Sequence, residues 1–412
     1  MENIKNHQLS DNLLEKLIQR DFVSSNTFKR ELVQESQILP TFFIIDFITK
    51  CNLNCRYCLR HFENEGRIIS KKSLTDICNY IISYYKAHKL KSITIQPWGG
   101  EPLLALDLII YSKNLFKSAG VNATYIIQTN GLLLDEKTLN TLIENNIDFG
   151  ISIDGNKTVT DMQRVDYLDN GIFDRLKYVF EMLKKRNKST GLISVNTQWS
   201  MPYIEDSMRT FIEEFGINSF KFNIAHPNIA DYDKSMIITG EKVTEFCNSV
   251  FDAFIGNIRR GNKCYESNIC QVVSNLLDRR NNDICHSNGC QGGKVLVSFG
   301  YDGKIYPCEL IGNEDNCFGS IYDNKDLVDI IKENANNIYF YPRESDVCKQ
   351  CPYKPFCKGG CYACAKSFGC KKGEVDMLGC LTNHVYYKRV IDLILNEPDL
   401  VQKIARGGLK IK

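Results

Sequence analysis

The sequence predicts an α/β protein in which a parallel sheet of strand–helix units is followed by a cysteine-rich region. Three observations predict it. Apolar stretches of strand length alternate six times with helical periodicities between residues 41 and 226. Eleven of the 18 cysteines then fall between Cys285 and Cys380, where regular periodicity is scarce. Hydrophobic residues make up 43 % of the 412, enough for a large core in one or two domains and too many for a disordered chain. Lys+Arg numbers 51 against 49 Asp+Glu, and a net charge of +2 gives no general pull toward nucleic acid or anionic lipid.

Residues 1–40 are polar, with a helical pattern near Leu13–Ile18, and contain no apolar segment of signal-peptide length. Thr41–Thr49 (TFFIIDFIT) reads as a buried strand; it is too short to span a membrane and contains Asp46. Ser73–His88 reads as a helix because Leu74, Ile77, Cys78, Ile81, Ile82 and Tyr85 recur at steps of three and one. Ser92–Pro97 is the second strand and Leu104–Ser118 the second helix. Ala123–Thr129 is the third strand, followed by a helix over Asp135–Asn145. Phe149–Ile153 is the fourth, and in the next helix, Phe173–Asn187, one face carries Phe173, Leu176, Val179, Phe180 and Leu183. Gly191–Thr197 and Ser219–Ile224 are the fifth and sixth strands, separated by a helix over Ile204–Phe215. Such alternation implies parallel pairing through right-handed crossovers. Six units suit an open sheet or a partial barrel, and both place ligand sites at the C-terminal ends of the strands.

Beyond His226 the pattern changes. Glu241–Gly256 and Ile269–Arg279 read as helices, and Val295–Phe299 with Lys304–Tyr306 reads as a hairpin turning on Asp302-Gly303. Helices over Lys325–Asn334 and Val385–Leu395 follow, and a second domain is expected to begin between residues 226 and 285. Without a signal peptide or a spanning segment the chain is expected to be cytoplasmic. In a reducing compartment 18 cysteines point to metal or catalytic roles rather than disulfides. With only 6 histidines beside them, zinc or iron–sulfur clusters suit the donor set.

The first strand runs straight into Cys51-Asn-Leu-Asn-Cys55-Arg-Tyr-Cys58, a C-x3-C-x2-C spacing in a loop at a strand's C-terminal end. Three thiolates this close can hold three irons of a cubane, leaving the fourth iron open to a small molecule. Three unrelated cysteines, or a structural zinc site completed from elsewhere, are the bland alternatives. The second strand ends in Gly99-Gly100-Glu101-Pro102, where glycines permit close backbone approach and Glu101 can accept from an ammonium group. The third ends in Gln128-Thr129-Asn130-Gly131 and the fourth in Ser152-Ile153-Asp154-Gly155. Each alone is an ordinary strand-ending turn; together they describe one polar site.

These residues resemble the radical S-adenosylmethionine (SAM) enzymes, which carry CxxxCxxC after the first barrel strand and GGEP after the second. The resemblance implies a partial (β/α)6 barrel. It implies a 4Fe–4S cluster on Cys51, Cys55 and Cys58, with the SAM amino and carboxylate groups chelating the open iron. Tyr57, Gly99, Gly100, Glu101, Pro102, Asn130, Ser152 and Arg164 match positions that bind SAM in that family. One electron from the cluster would cleave SAM to methionine and a 5′-deoxyadenosyl radical, which removes a substrate hydrogen.

The distal cysteines resemble the seven-cysteine SPASM pattern of peptide-modifying members. Cys290 is followed by Gly303 and Cys308, then by Cys348-x2-Cys351-x5-Cys357-x3-Cys361 and Cys380. The resemblance implies two auxiliary 4Fe–4S clusters, making three in all. Auxiliary I would use Cys285, Cys290, Cys308 and Cys361, and auxiliary II Cys348, Cys351, Cys357 and Cys380. Cys270 competes with Cys285, and Cys364 and Cys370 compete with Cys361. The expected organisation is an extension at 1–40, the barrel at 41–226, a helical bridge at 227–284, the SPASM domain at 285–384 and a closing helix and tail at 385–412.

ICHSNGC, YDGKIYPCEL and CKGGC resemble the anaerobic sulfatase-maturing enzymes. Their general base is an aspartate directly after a cluster cysteine; here Glu309 stands there. Arg60 and Trp98 also depart from that group, which has an aromatic residue and a glutamine at those positions. The expected function is therefore maturation of a ribosomally made peptide through a thioether or carbon–carbon crosslink, with Glu309 or a cysteine ligand deprotonating the substrate. Alternatives are oxidation of Cys or Ser to formylglycine, a radical SAM enzyme of small molecules or RNA, and a non-catalytic zinc-binding adaptor. The expected partners are the peptide, read directly or through a separate leader-binding protein, and an electron donor such as flavodoxin or ferredoxin, with no nucleic acid and no membrane.

Overall fold

The computed structural model describes residues 38–58, 60, 66–226, 234–277, 285, 290–312, 314–334, 348, 351–357, 359–370 and 374–407. The helical pattern near Leu13–Ile18 lies outside them. Strands β1 (Phe42–Ile48), β2 (Ile93–Gly99), β3 (Ala123–Thr129), β4 (Ile147–Ser152), β5 (Gly191–Asn196) and β6 (Ser219–Ile224) lie side by side in chain order, each parallel to the next. The intervening helices are α1 (Lys71–Ala87), α2 (Leu106–Ser118), α3 (Glu136–Glu144), α4 (Lys157–Gln163), α5 (Phe173–Lys185) and α6 (Ile204–Arg209). Helix starts follow local chemistry: Ser70, Asp135 and Asn156 cap α1, α3 and α4 by accepting from Ser73, Thr138 and Val159 N–H. α1 buries Leu74, Ile77, Cys78, Ile81 and Tyr84, and α5 buries Phe173, Leu176, Val179, Phe180, Met182 and Leu183.

The elements differ from expectation in several places. Glu101 caps a 3-10 turn over Pro102–Ala105, so α2 starts at Leu106. The helix expected over Ile204–Phe215 is α6 followed by a π turn, Thr210–Glu214. α4 was not expected; its start is set by Asn156. After α7 (Glu241–Arg259), α8 (Ser267–Leu276), α9 (Leu327–Asn334) and α10 (Tyr362–Ser367), helix α11 runs over Met377–Asn396. It begins eight positions before Val385 because Asp376 caps it, accepting from Gly379 N–H.

The sheet does not stop at β6. β7 (Tyr265–Glu266) joins β6, and β8 (Leu296–Phe299) pairs parallel with β1, Phe42 opposite Leu296 through Ile45 opposite Phe299. β9 (Lys304–Tyr306) and β10 (Gly319–Ser320) continue antiparallel, giving the order β10-β9-β8-β1-β2-β3-β4-β5-β6-β7 among the described residues. The hairpin read from Asp302-Gly303 is present, and it extends the strand–helix sheet. One core holds Phe43, Ile45 and Phe47 of β1 together with Val297, Phe299 and Ile305 of the hairpin. The hairpin therefore sits where it can wall the C-terminal end of β1.

Candidate active site at the strand ends

The loop after β1 brings Cys51, Cys55 and Cys58 together. Cys58 N–H donates to the Cys55 carbonyl at 3.1 Å, and the loop backbone is tied to the far side of the sheet by Asn54 N–H to Val165 at 2.7 Å and Arg56 N–H to Gln163 at 2.9 Å. Leu53 N–H and the Asn130 amide lie 3.4 and 3.7 Å from the Cys51 sulfur. Burial pushes the Cys51 thiol up to about 11, and it pushes Cys55 further still, against the opposing charge of Arg164. Buried thiols of this kind give up their protons when they meet a cationic iron core, because ligation deprotonates the ligand. Among the described residues no three His, Cys, Asp or Glu side chains are placed to grip one metal ion. In a cubane each thiolate binds its own iron, so a convergent but spaced set of thiols fits that group.

Gly99 and Gly100 support the cysteine loop directly. A Cβ on Gly99 would lie 1.8 Å from the Ile48 carbonyl oxygen, and one on Gly100 2.4 Å from that of Lys50. Gly100 and Glu101 N–H donate to those same carbonyls at 2.8 and 3.1 Å. Glu101, 1 % exposed, accepts from Leu103 N–H, the Thr129 hydroxyl and Asn130 N–H at 3.0, 2.7 and 2.7 Å. A carboxylate has about four lone-pair sites, so this clamp between β2 and β3 leaves one for a ligand. Burial pushes the Glu101 carboxyl up despite those three donors. Pro102 is buried in the 3-10 turn, and Ser152 stands half-buried at the end of β4.

Asp154, fully buried, organises the other side. Its Oδ1 accepts from the Tyr57 hydroxyl, Arg164 Nε and Val195 N–H at 3.0, 3.0 and 3.1 Å, and its Oδ2 from Gln163 Nε2 at 3.0 Å. Arg164 is a buried side chain, with Nη1 4.0 Å from the Cys55 sulfur and its guanidinium 5.6 Å from the Tyr57 ring centre. Asp154 was visible in the sequence only as one polar residue at a strand end; its four donors come from three separate segments.

The distal cysteines form two groups. Cys361 lies within electrostatic reach of Cys290 and Cys285, and Cys308 of Cys290 and Cys361. Cys348, Cys351, Cys357 and Cys380 line one small cavity. Asn383 Nδ2 donates to the Cys357 sulfur at 3.1 Å, and His384 Nε2 is 3.5 Å from that of Cys351. These two side chains follow Cys380 by one helical turn, a relation hidden until Cys380 is placed on α11. Of the competing cysteines, Cys270 sits beside Glu266 and Cys264, Cys364 is buried in α10, and Cys370 donates to the Val375 carbonyl at 3.5 Å. Both groups of four thiols match the donor chemistry of iron–sulfur ligation.

A cavity of about 410 Å³ opens where β1, β2 and β8 end, lined by Asp46, Arg60, Arg67, Trp98, Tyr301 and Glu309 among others. Arg60 Nη2 pairs with Asp46 Oδ2 at 2.8 Å. The buried Trp98 Nε1 has no hydrogen-bond partner among the described residues. Arg67 stacks over the Tyr301 ring at 4.2 Å. Burial pushes the Glu309 carboxyl up, and Arg60 opposes it. Because Glu309 follows Cys308, the cavity wall is continuous with the first distal group.

The sequence profile of the radical SAM superfamily matches residues 45–215. The chain is 25 % identical over 336 residues to a cysteine-type anaerobic sulfatase-maturating enzyme of Clostridium perfringens, covering 77 % of this chain and 87 % of the relative. It is 30 % identical over 303 residues to an uncharacterized protein of Methanocaldococcus jannaschii, covering 72 % and 93 %. In fold it is similar to native anSMEcpe with bound AdoMet and Cp18Cys peptide, with TM-score 0.75, 21 % identity, and 89 % of this chain and 99 % of that one covered. It is also similar in fold to Streptococcus suis SuiB bound to precursor peptide SuiA, with TM-score 0.60, 17 % identity, and 89 % and 79 % covered.

Proposed function

Because this chain belongs to the radical SAM superfamily, we propose that it is a maturase that modifies a ribosomally synthesised peptide, with a thioether or carbon–carbon crosslink as product. Superfamily membership sets aside the zinc-binding adaptor. Members work with a 4Fe–4S cluster and SAM. In this reading Cys51, Cys55 and Cys58 hold that cluster, and Tyr57, Gly99–Pro102, Asn130, Ser152 and Arg164 surround SAM. Cys285, Cys290, Cys308 and Cys361 hold a second cluster, and Cys348, Cys351, Cys357 and Cys380 a third. When bound, these groups supply reductive SAM cleavage, the radical that takes a substrate hydrogen and an acceptor for the remaining electron. The chain supplies the rest. Glu101 offers its last acceptor site to an ammonium group, Arg164 holds a positive charge beside Cys55, and the walled cavity keeps water from the reacting segment. Glu309 accepts the substrate proton.

One observation carries the peptide-crosslinking reading. Arg60, Trp98 and Glu309, the three departures from the sulfatase-maturing pattern, line the same cavity. The substrate wall therefore differs as a unit. Oxidation of Cys or Ser to formylglycine is the second reading, favoured by the name of the Clostridium perfringens relative. An electron donor of the flavodoxin or ferredoxin class completes the system, and the peptide is presented directly or by a separate leader-binding protein. No helix among the described residues is long and apolar enough to cross a membrane. The test is anaerobic co-expression with candidate precursor peptides, followed by mass spectrometry and hydrazide capture. Loss of two hydrogens with sulfur kept and no captured aldehyde is expected. A captured aldehyde would replace the crosslink with formylglycine formation.

A further inference from the structure

The two distal cysteine groups meet at one buried carboxylate, Asp376, which is 2 % exposed. Its Oδ2 accepts from Cys361 N–H at 3.0 Å and its Oδ1 from Gly379 N–H at 3.0 Å. Its backbone carbonyl accepts from Cys380 N–H at 2.8 Å. One residue is thus bonded to a cysteine of each group. Two glycines make the approach feasible: a Cβ on Gly360 would lie 2.9 Å from Asp376 Oδ2, and one on Gly379 2.5 Å from it. The Asp376 charge acts on the thiols of Cys357, Cys361 and Cys380. His226, at the end of β6, also feels that charge, but burial pushes its imidazole down to about 4, so it is neutral and does not cancel the carboxylate.

We propose that Asp376 is a positioning residue for the auxiliary centres, fixing Cys361 and Cys380 against each other and setting one negative charge between the clusters they hold. The inference rests on the assignment of clusters to the two cysteine groups. A fixed negative charge in a low-dielectric setting opposes the addition of an electron, so it lowers the reduction potential of both centres. The auxiliary centres are thereby kept oxidised at rest.

The experiment uses the full chain, reconstituted without oxygen, in wild-type and D376N forms. It reads iron and sulfide content, and the potential of each centre by EPR-monitored redox titration. The expected result for D376N is about 12 irons retained, both auxiliary potentials moved to more positive values, and the potential of the first cluster unmoved. Unmoved auxiliary potentials in an iron-replete variant overturn the inference alone. Loss of auxiliary iron with about four irons retained upholds the fixing of the cysteines, and D376S, which keeps a helix-capping oxygen without the charge, then reads the potentials. A wild-type protein holding only about four irons overturns the inference together with its premise.

Discussion

In the proposed function Glu309 is the base, and the Arg60 charge acts on it with a definite sign. A carboxyl works as a base only when ionised, and burial holds Glu309 above the ordinary carboxylate range while Arg60 opposes that shift. Product formation should therefore rise with pH through the Glu309 pKa. In R60A the opposing charge is gone, Glu309 moves further up, and the acid limb of the pH–rate profile should shift to higher pH. E309Q keeps the shape and removes the base, so peptide product should fall by about 10²–10⁴-fold while 5′-deoxyadenosine release persists. An acid limb that stays in place in R60A would take Glu309 out of this role. The clustering of Cys51, Cys55 and Cys58 was legible because their spacing is local, three residues then two after a strand. The meeting of Arg60, Trp98 and Glu309 was not, because three distant segments supply them and nothing in the sequence states which strand ends face one another.

At the scale of elements, the close contact between the turn after β2 and the loop after β1 sets where Cys51, Cys55 and Cys58, the proposed ligands of the first cluster, stand. Gly99 has a φ of +149°, and its Cβ would overlap the Ile48 carbonyl oxygen at 1.8 Å, a backbone atom that no rotamer change can move. G99A should push the turn away from the cysteine loop. Iron in the reconstituted protein should fall from about 12 toward about 8, with the auxiliary signals kept. G191A is the control, since a Cβ at Gly191 on β5 meets nothing within 4 Å. Full iron in G99A would mean that the loop holds its shape without this contact. The strand–helix alternation itself was legible because β1–β6 bury apolar side chains against helices with strong apolar stripes. The start of α11 was not, because Gly379 and Cys380 in its first turn are poor helix formers, and the cap at Asp376 outweighs them.

At the scale of the whole molecule, the β1–β8 pairing decides whether the strand–helix sheet can stand alone. No local signal announces it, since residues 42–45 pair with residues 296–299 across most of the chain. Its consequence is that β1 lies between β2 and β8 rather than at an edge. Removing everything after residue 284 would turn FFIIDFI into an open edge strand with unpaired N–H and C=O groups, a template for aggregation. It would also uncover the faces that pack on Val297, Phe299 and Ile305, which are 0 % exposed. Each such side chain is worth about 1.5–3 kcal/mol, and a whole domain is stable by only about 5–15 kcal/mol. The loss of these three alone is comparable with the total. A 38–284 fragment should therefore aggregate or be digested rapidly by protease even when reconstituted with iron and sulfide, whereas the full chain resists. A monomeric, protease-resistant fragment holding about four irons would show instead that the hairpin is an addition to a self-sufficient barrel. In that case the wall that Glu309 forms on the cavity could be exchanged without disturbing the cluster loop. If the fragment fails as expected, substrate wall and cluster loop share one sheet, and a change in either is felt by the other.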